Sequence, residues 1–334
     1  MSGRSQKCLW NDIISSPLPL THGVPQGSIL GPTLFLVMVA DMPKFVTANT
    51  PTAKMIGYAD DSQASVHSKN ITSLKPNLEK VSKRMISYCH RNGLILNNHK
   101  TQLLVSPKQE CQIKIGSSII TATHELNLLG VDFDTNFTTL PFLHKLARAA
   151  KTRSSLIYRL SFSMPPHLLS TFANGLLMGK ILAACPLTIP SRINHDDKCF
   201  FSVTDDINKA IKATARTITR TKLSDKVRSE VVVHKANMRC LNEAVASITA
   251  VTVWKSRQSM DPLGHCLFPE KETNTERKLR SQSCQEIRPP VPGYPNLATN
   301  IMAKIWNSVP DLRNASTIGT AKSISRKWAK TIPR

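Results

Sequence analysis

An α+β fold continuing into a helical region is the class this sequence predicts, and three observations predict it. Between residue 18 and about residue 134 short β-like runs alternate with single helical segments, beyond Pro141 apolar residues recur almost only at helical spacing, and basic side chains concentrate in that later part. In order, Val24-Pro25-Gln26-Gly27 reads as a turn. Gly31-Pro32 then opens an apolar helix over 33–40, because the first helical turn accepts proline. The runs 53–58 and 63–67 flank Asp60-Asp61 as two strands of a hairpin whose turn is acidic. Leu74, Leu78, Val81 and Met85 recur at helical spacing, and Asn92-Gly93 supplies the stop. Two further strands are expected over 101–106 and 127–134.

In the helical part Leu143, Leu146, Ala150, Ile157 and Leu160 mark one helix, and Ile207, Ile211, Ala215 and Ile218 a second. Met238, Leu241, Val245, Ile248 and Thr252 mark a third. The stretch 262–297 is polar, charged and Pro-containing, as a linker would be. Ile301, Ile305 and Trp306 give a short amphipathic segment within 298–334. The expected organisation is therefore a mixed domain over 1–140, a helical domain over 141–261, a linker over 262–297 and a C-terminal segment.

The 334 residues are 41% hydrophobic, enough to build a core and to exclude a disordered tail. Lys and Arg number 44 against 22 Asp and Glu, a net charge of +22 that fits a polyanion-binding protein, with nucleic acid as the leading partner. Residues 1–150 hold 15 basic and 9 acidic side chains, whereas 151–334 hold 29 and 13. The eight cysteines include no C-x-x-C pair, which argues against a zinc ribbon. They read as reduced, mostly buried thiols of a nuclear or cytoplasmic protein. Cys89-His90 and His265-Cys266 lack ligand spacing, and no Gly-x-Ser-x-Gly elbow supports a hydrolase triad. The longest apolar stretch, 29–40, is interrupted by Gly31-Pro32 and falls short of the roughly 20 residues a membrane span needs.

The sharpest chemical feature is Met55-Ile56-Gly57-Tyr58-Ala59-Asp60-Asp61, an acidic pair at the tip of an apolar hairpin where a divalent metal can be held. Acidic pairs alone are common: Asp196-Asp197 reads as a loop and Asp205-Asp206 as a helix start. Lys209, Lys212, Arg216 and Arg220 form a basic stripe beside an apolar one, suited to neutralising phosphates or simply to facing solvent. Lys145, Arg148, Lys151 and Arg153 admit the same two readings.

Four signals follow one another within about 110 residues: Gly23-Val24-Pro25-Gln26-Gly27-Ser28-Ile29-Leu30-Gly31-Pro32, Tyr58-Ala59-Asp60-Asp61, Leu96-Asn97-Asn98-His99-Lys100-Thr101 and Leu128-Leu129-Gly130-Val131. Together they resemble the palm of reverse transcriptases (RNA-directed DNA polymerases) encoded by non-long-terminal-repeat retrotransposons. The resemblance implies a partial polymerase palm, an antiparallel sheet with packed helices, followed by a basic thumb-like helical domain. It implies Asp60 and Asp61 as catalytic ligands of Mg2+, with Lys100 facing the leaving pyrophosphate. Gln26 and Gly27 would position template and nucleotide, and Tyr58 would lie beneath the nucleotide or primer end. Leu129, Gly130 and Val131 would be the primer grip. The implied partners are an RNA template, a DNA primer or RNA–DNA hybrid, and deoxynucleotides. Ordinary alternatives stand beside these roles: a structural turn for Gln26-Gly27, a buried strand-end aromatic for Tyr58, a solvated lysine for Lys100, a plain β-turn for Leu129-Gly130-Val131.

Two-metal phosphoryl transfer needs carboxylates that bridge ions about 4 Å apart. Neighbouring side chains of an extended strand point to opposite faces, so Asp60 and Asp61 require a further Asp from another strand. The family takes it from upstream of the Gly-Val-Pro-Gln-Gly block, where this chain offers only Asp12, in a loop-like setting. Asp132 and Asp134 share a strand face but follow the primer-grip signal and are poor substitutes. The expectation is a reverse-transcriptase fragment, truncated at its start and impaired in catalysis; the alternative is a non-catalytic binder of RNA or RNA–DNA hybrids.

Overall fold

A computed structural model describes residues 3–20, 23–24, 27–183, 185, 187–189, 198–258, 268, 287 and 298–332. The chain divides into two compact units, 1–123 and 124–334. Helix and small sheets mix in the first, and helices dominate the second.

The first unit opens with four short strands, β1 (Arg4–Gln6), β2 (Leu9–Trp10), β3 (Ile13–Ile14) and β4 (Leu18–Leu20), paired antiparallel as β1 with β4 and β2 with β3. The β2–β3 turn sets both Asn11 and Asp12 at positive φ (43° and 66°), which suits the two short polar side chains. Asp12 thus sits in a tight turn, not inside an apolar strand. Helix α1 (Gly31–Val39) is as apolar as its sequence, yet only Gly31 is buried, so it is no core helix within this unit. Helix α2 (Met42–Thr47) follows. Strands β5 (Ala53–Tyr58) and β6 (Asp61–Val66) then form an antiparallel hairpin, with β6 starting at the second aspartate, two residues earlier than expected.

Helix α3 (Ile71–Arg91) organises this unit. Val81 and Tyr88 pack with Met42, Val46 and Ala53, while Leu74, Leu78 and Ile86 lie against Leu103, Cys111, Ile113 and Ile115. The single apolar stripe read from the sequence is thus shared between two small cores. The helix stops at Asn92, and Gly93 (φ +66°) takes the left-handed position that glycine accepts without cost. Strands β7 (Leu103–Leu104), β8 (Gln112–Ile115) and β9 (Ser118–Thr123) make a sheet of order β7-β9-β8, parallel at β7–β9. In β8 Ile113 and Ile115 are buried and Gln112 and Lys114 exposed, the alternation of a sheet with one wet face.

The second unit starts with the hairpin β10 (Glu125–Leu128) and β11 (Val131–Asp134), where the sequence suggested one continuous strand. Leu129 (φ +50°) and Gly130 (φ +82°) turn it as a type I′ connection does. Helix α4 (Leu140–Leu160) buries Leu143, Leu146, Ala150 and Ile157. Helix α5 (Pro166–Phe172) runs through a π-helical turn (Ala173–Met178) into α6 (Gly179–Leu182). Helix α7 (Lys198–Thr219) places Ile207, Ile211, Ala215 and Ile218 in the same core as α4. Because α7 begins at Lys198, Asp205 and Asp206 lie two turns inside it, which corrects their reading as a helix start.

Helices α8 (Ser229–Lys235), α9 (Leu241–Gln258), α10 (Ala298–Asn307) and α11 (Ile318–Ala329) complete the unit. Helix α9 serves two cores in succession: Leu241, Ala244 and Val245 join the α4–α7 core, and Ala250, Val253 and Trp254 join Ile301, Ile305 and Trp306 of α10. The Trp254 indole N–H donates to the Ala315 carbonyl at 3.2 Å, so the buried ring keeps its polar atom satisfied. Most of 262–297 and the pair Asp196-Asp197 lie outside the described residues. Among the described residues no helix is long and apolar enough to cross a membrane.

Candidate functional site

The acidic hairpin tip is built by strand pairing that runs from Ala53↔Val66 to Tyr58↔Asp61, leaving Ala59-Asp60 as a two-residue connection. Ala59 adopts φ +52°, a conformation in which a Cβ is disfavoured, so the tip holds local backbone strain. Asp60 and Asp61 are both exposed, and the Tyr58 side chain beside them is 64% exposed, which overturns the buried-aromatic alternative. Strands β5 and β6 form a two-stranded sheet with no third strand among the described residues. A third carboxylate does not converge on the pair either: among the described residues the one group of three or more His, Cys, Asp or Glu at metal-holding distance is elsewhere. Two carboxylates on an exposed turn fit one hydrated Mg2+, which keeps most of its waters.

Gln26 lies outside the described residues; its neighbour Gly27 is exposed at φ +83°, a value only glycine takes freely. Lys100 closes a 3₁₀ turn (Asn98–Lys100) that Asn97 shapes, its side-chain oxygen accepting from the His99 N–H at 3.1 Å while its carbonyl accepts from the Thr101 hydroxyl at 2.9 Å. The Asn-x-x-Lys box is thereby explained as turn chemistry that leaves Lys100 exposed. Among the described residues no ion pair links Lys100 to Asp60 or Asp61.

Leu129, Gly130 and Val131 belong to the second unit, with Leu129 55% exposed at its hairpin tip and Val131 buried. The Asn127 side chain braces this turn, accepting from the Gly130 N–H at 3.2 Å and donating to Asp132 at 2.9 Å. Asp132 also receives the Lys145 ammonium at 3.0 Å. Burial raises the Asp132 carboxyl, but hydrogen bonds from Asn127 and Lys145, with the charge of Lys145, outweigh it and hold the group below its ordinary value. Asp134 accepts from the Asn136 and Thr138 N–H groups at 2.9 and 2.8 Å. Both aspartates are engaged in holding the fold.

The basic stripes separate into tied and exposed members. Lys209 pairs with Asp205 at 3.2 Å and Asp206 at 3.1 Å, and Arg216 donates to the carbonyls of Lys222 and Val227 at 3.0 and 3.4 Å. Arg153 donates to the Leu176 carbonyl. Lys212, Arg220, Arg148 and Lys151 are exposed. The i,i+3 and i,i+4 spacing of Asp206 and Asp205 to Lys209 is the sequence signal that marks Lys209 as internally paired.

Comparison with known proteins bears on the same residues. Residues 5–133 match the family of reverse transcriptases (RNA-dependent DNA polymerases). The RNA-directed DNA polymerase from mobile element jockey of Drosophila melanogaster is 26% identical over 182 residues, 51% of this chain and 19% of that protein. Its Drosophila funebris counterpart is 30% identical over 137 residues, 39% of this chain and 15% of that protein. The probable RNA-directed DNA polymerase from transposon BS of Drosophila melanogaster is 28% identical over 147 residues, 42% of this chain and 16% of that protein. The chain spans less than a fifth of the length of these curated relatives. No solved structure matches it. The resemblance to reverse transcriptases of non-long-terminal-repeat elements is borne out by the match over residues 5–133 and by these mobile-element relatives.

Proposed function

We propose, for a chain whose residues 5–133 match the reverse-transcriptase family, that it is a palm segment followed by thumb-like helices which bind RNA or an RNA–DNA hybrid. In this reading Asp60 and Asp61 hold a hydrated Mg2+, Tyr58, Gln26 and Gly27 contact nucleotide or template, and Lys100 faces the phosphates. The β10–β11 tip at Leu129, Gly130 and Val131 touches the primer strand. Lys212 and Arg220 neutralise backbone phosphates, with Lys209 and Arg216 holding their own helix and loop in place. When bound, the metal supplies charge neutralisation at phosphate oxygens.

The observation that carries the catalytic part of the proposal is the acidic hairpin tip, exposed and without a third converging carboxylate among the described residues. Two adjacent carboxylates do not hold paired cations in line, so the 334-residue chain by itself binds a template–primer without extending it. The same observation favours the non-catalytic binder as the activity of this chain taken alone. The test is primer extension with the purified chain, Mg2+ and an RNA template annealed to a DNA primer. Salt-sensitive binding without added nucleotides is the expected result. Mg2+-dependent extension that Asp60→Asn abolishes would show the site to be complete and overturn the binding-only reading, and absence of binding at low salt would overturn both.

A further inference from the structure

We infer that His234, Cys240 and Glu243 hold a zinc ion that clasps the end of α8 to the start of α9. Their ligand atoms all lie within 4.8 Å of one another, and His234 Nε2 is 3.5 Å from a Glu243 carboxylate oxygen. In a tetrahedral site with Zn–S near 2.3 Å and Zn–N or Zn–O near 2.0–2.1 Å, ligand atoms stand roughly 3.3–3.8 Å apart. The His–Glu separation already has that value, and only the Cys240 sulfur has to close by about 1 Å, within reach of a side-chain rotation.

The local fold explains why residues six and three positions apart meet. Asn237 takes φ +54°, and the N–H groups of Asn237 and Met238 return to the carbonyls of His234 and Val233 at 2.9 and 3.0 Å, ending α8 in a left-handed cap. That reversal brings α9 back with Cys240 just before its first turn and Glu243 within it, beside His234 in the last turn of α8. The corner is itself anchored: the Ser170 hydroxyl donates to the Ala236 carbonyl at 2.7 Å and the Asn174 amide to the Asn237 carbonyl at 3.0 Å. A framed corner presents its ligands without a large ordering cost.

The donor set selects the ion. Thiolate, imidazole and carboxylate together suit borderline-soft zinc and not Mg2+, so this centre is chemically distinct from the Asp60-Asp61 tip. A neutral imidazole with one thiolate and one carboxylate cancels the dication, which matters beside the cations Lys212, Arg239 and Arg326. The His234 side chain is 42% exposed and Glu243 14%, leaving an entry path and a fourth position for water.

The test is titration of the reduced, chelator-stripped full chain with Co2+ as the probe, followed by Zn2+ competition. Expected are one equivalent of tetrahedral Co2+ with a thiolate charge-transfer band, displacement by one equivalent of Zn2+, and a higher melting temperature with Zn2+. Cys240→Ser should abolish the band, and His234→Ala should weaken binding by at least about tenfold, with Cys8→Ser as the unaffected control. Should Cys240→Ser not fold, Glu243→Gln and the exposed His234→Gln provide the same comparison. No band at stoichiometric Co2+, or a band that survives Cys240→Ser and is lost in Cys266→Ser, would overturn the inference and leave His234–Glu243 a plain side-chain contact.

Discussion

The Lys145 ammonium lies 3.0 Å from the Asp132 carboxylate, joining the start of α4 to β11 directly behind the Leu129-Gly130 turn. By composition Lys145 is one more cation of a strongly basic chain, but in the fold it completes a pair whose acidic member is 8% exposed. Asp132→Ala should therefore cost about 1–3 kcal/mol, the range for a hydrogen-bonded charged group lost from a buried position. The sign with pH follows from the depressed carboxyl: its contribution is complete above the ordinary aspartate range and disappears as pH falls through the lower folded value. Melting curves of both proteins at pH 7 and near pH 3 check this; the gap between them should narrow in acid, and a gap that stays constant would exclude the ion pair as its source.

The turn in front of that pair makes a second, opposite prediction. Leu129 occupies a positive-φ position that favours Asn, followed by a glycine that fits its own. Leu129→Asn should raise stability by about 0.5–1 kcal/mol, and Gly130→Ala should lower it by about 1 kcal/mol or more. If the hairpin grips a primer, Leu129→Asn would in addition weaken hybrid binding while the melting temperature rises, a combination that a purely structural turn would not give.

Long amphipathic helices and the acidic hairpin were readable because their signal is local. The stripe Ile207, Ile211, Ala215, Ile218 and the alternation around Asp60-Asp61 each need only a few turns or pairs of sequence to be recognised. The N-terminal strands, α2 and α8 were missed, being two to seven residues long and too short to show a period. Apolar α1 was legible as a helix but not as an exposed one, since burial depends on neighbours that no local pattern reports. For the same reason the sequence could not divide Arg216 from Lys212 and Arg220, although the spacing of Asp205 and Asp206 marks Lys209 as paired. Nor could it find His234, Cys240 and Glu243, whose meeting depends on the left-handed cap at Asn237.

That division of the basic stripe predicts unequal effects on nucleic-acid binding. Lys212→Ala and Arg220→Ala should each reduce the slope of log affinity against log salt by about 1, uniformly across RNA sequences. Lys209→Ala should change the slope less, because Asp205 and Asp206 already neutralise that ammonium. Arg216→Ala should instead lower the melting temperature, since its guanidinium holds the 222–227 loop through two carbonyls. Equal slopes for all four variants would refute the assignment of the exposed pair as phosphate contacts.

Asp60 and Asp61 should prove indifferent to folding. Both are exposed beyond the last strand pair that buries anything, so Asp60→Asn and Asp61→Asn should leave the stability within about 0.5 kcal/mol of the parent and hybrid affinity unchanged without metal. Mg2+ should strengthen hybrid binding by the parent chain and not by the double variant. A double variant that melts much earlier would reveal the pair as structural and withdraw it from the candidate site.

Tyr88 offers the most direct test of the first unit's core. Its ring is 3% exposed, and its hydroxyl reaches the Met38 carbonyl at 2.9 Å and the Asp41 carboxylate, tying α3 to the α1–α2 connection. Burial first, then the Asp41 hydrogen bond and charge, push the phenol up to about 12. A raised value means that the folded state keeps its proton while the unfolded chain releases one near pH 10. Stability contributed by the phenol is complete below that point and is lost as pH rises toward 12, by up to about 3 kcal/mol. Tyr88→Phe keeps the packing and removes the hydroxyl's hydrogen bonds to the Met38 carbonyl and to the water-exposed Asp41 carboxylate, so at pH 8 it should cost about 0.5–1.5 kcal/mol, and above pH 10 it should lose less stability with rising pH than the parent does. Chemical denaturation followed from pH 8 to pH 11.5 decides the matter. Parallel pH profiles for the two proteins would show that the hydroxyl is not the buried, carboxylate-bound group described, and that α3 is held to α1 and α2 by apolar contact and by Arg84, which donates to the Phe45 carbonyl at 2.7 Å.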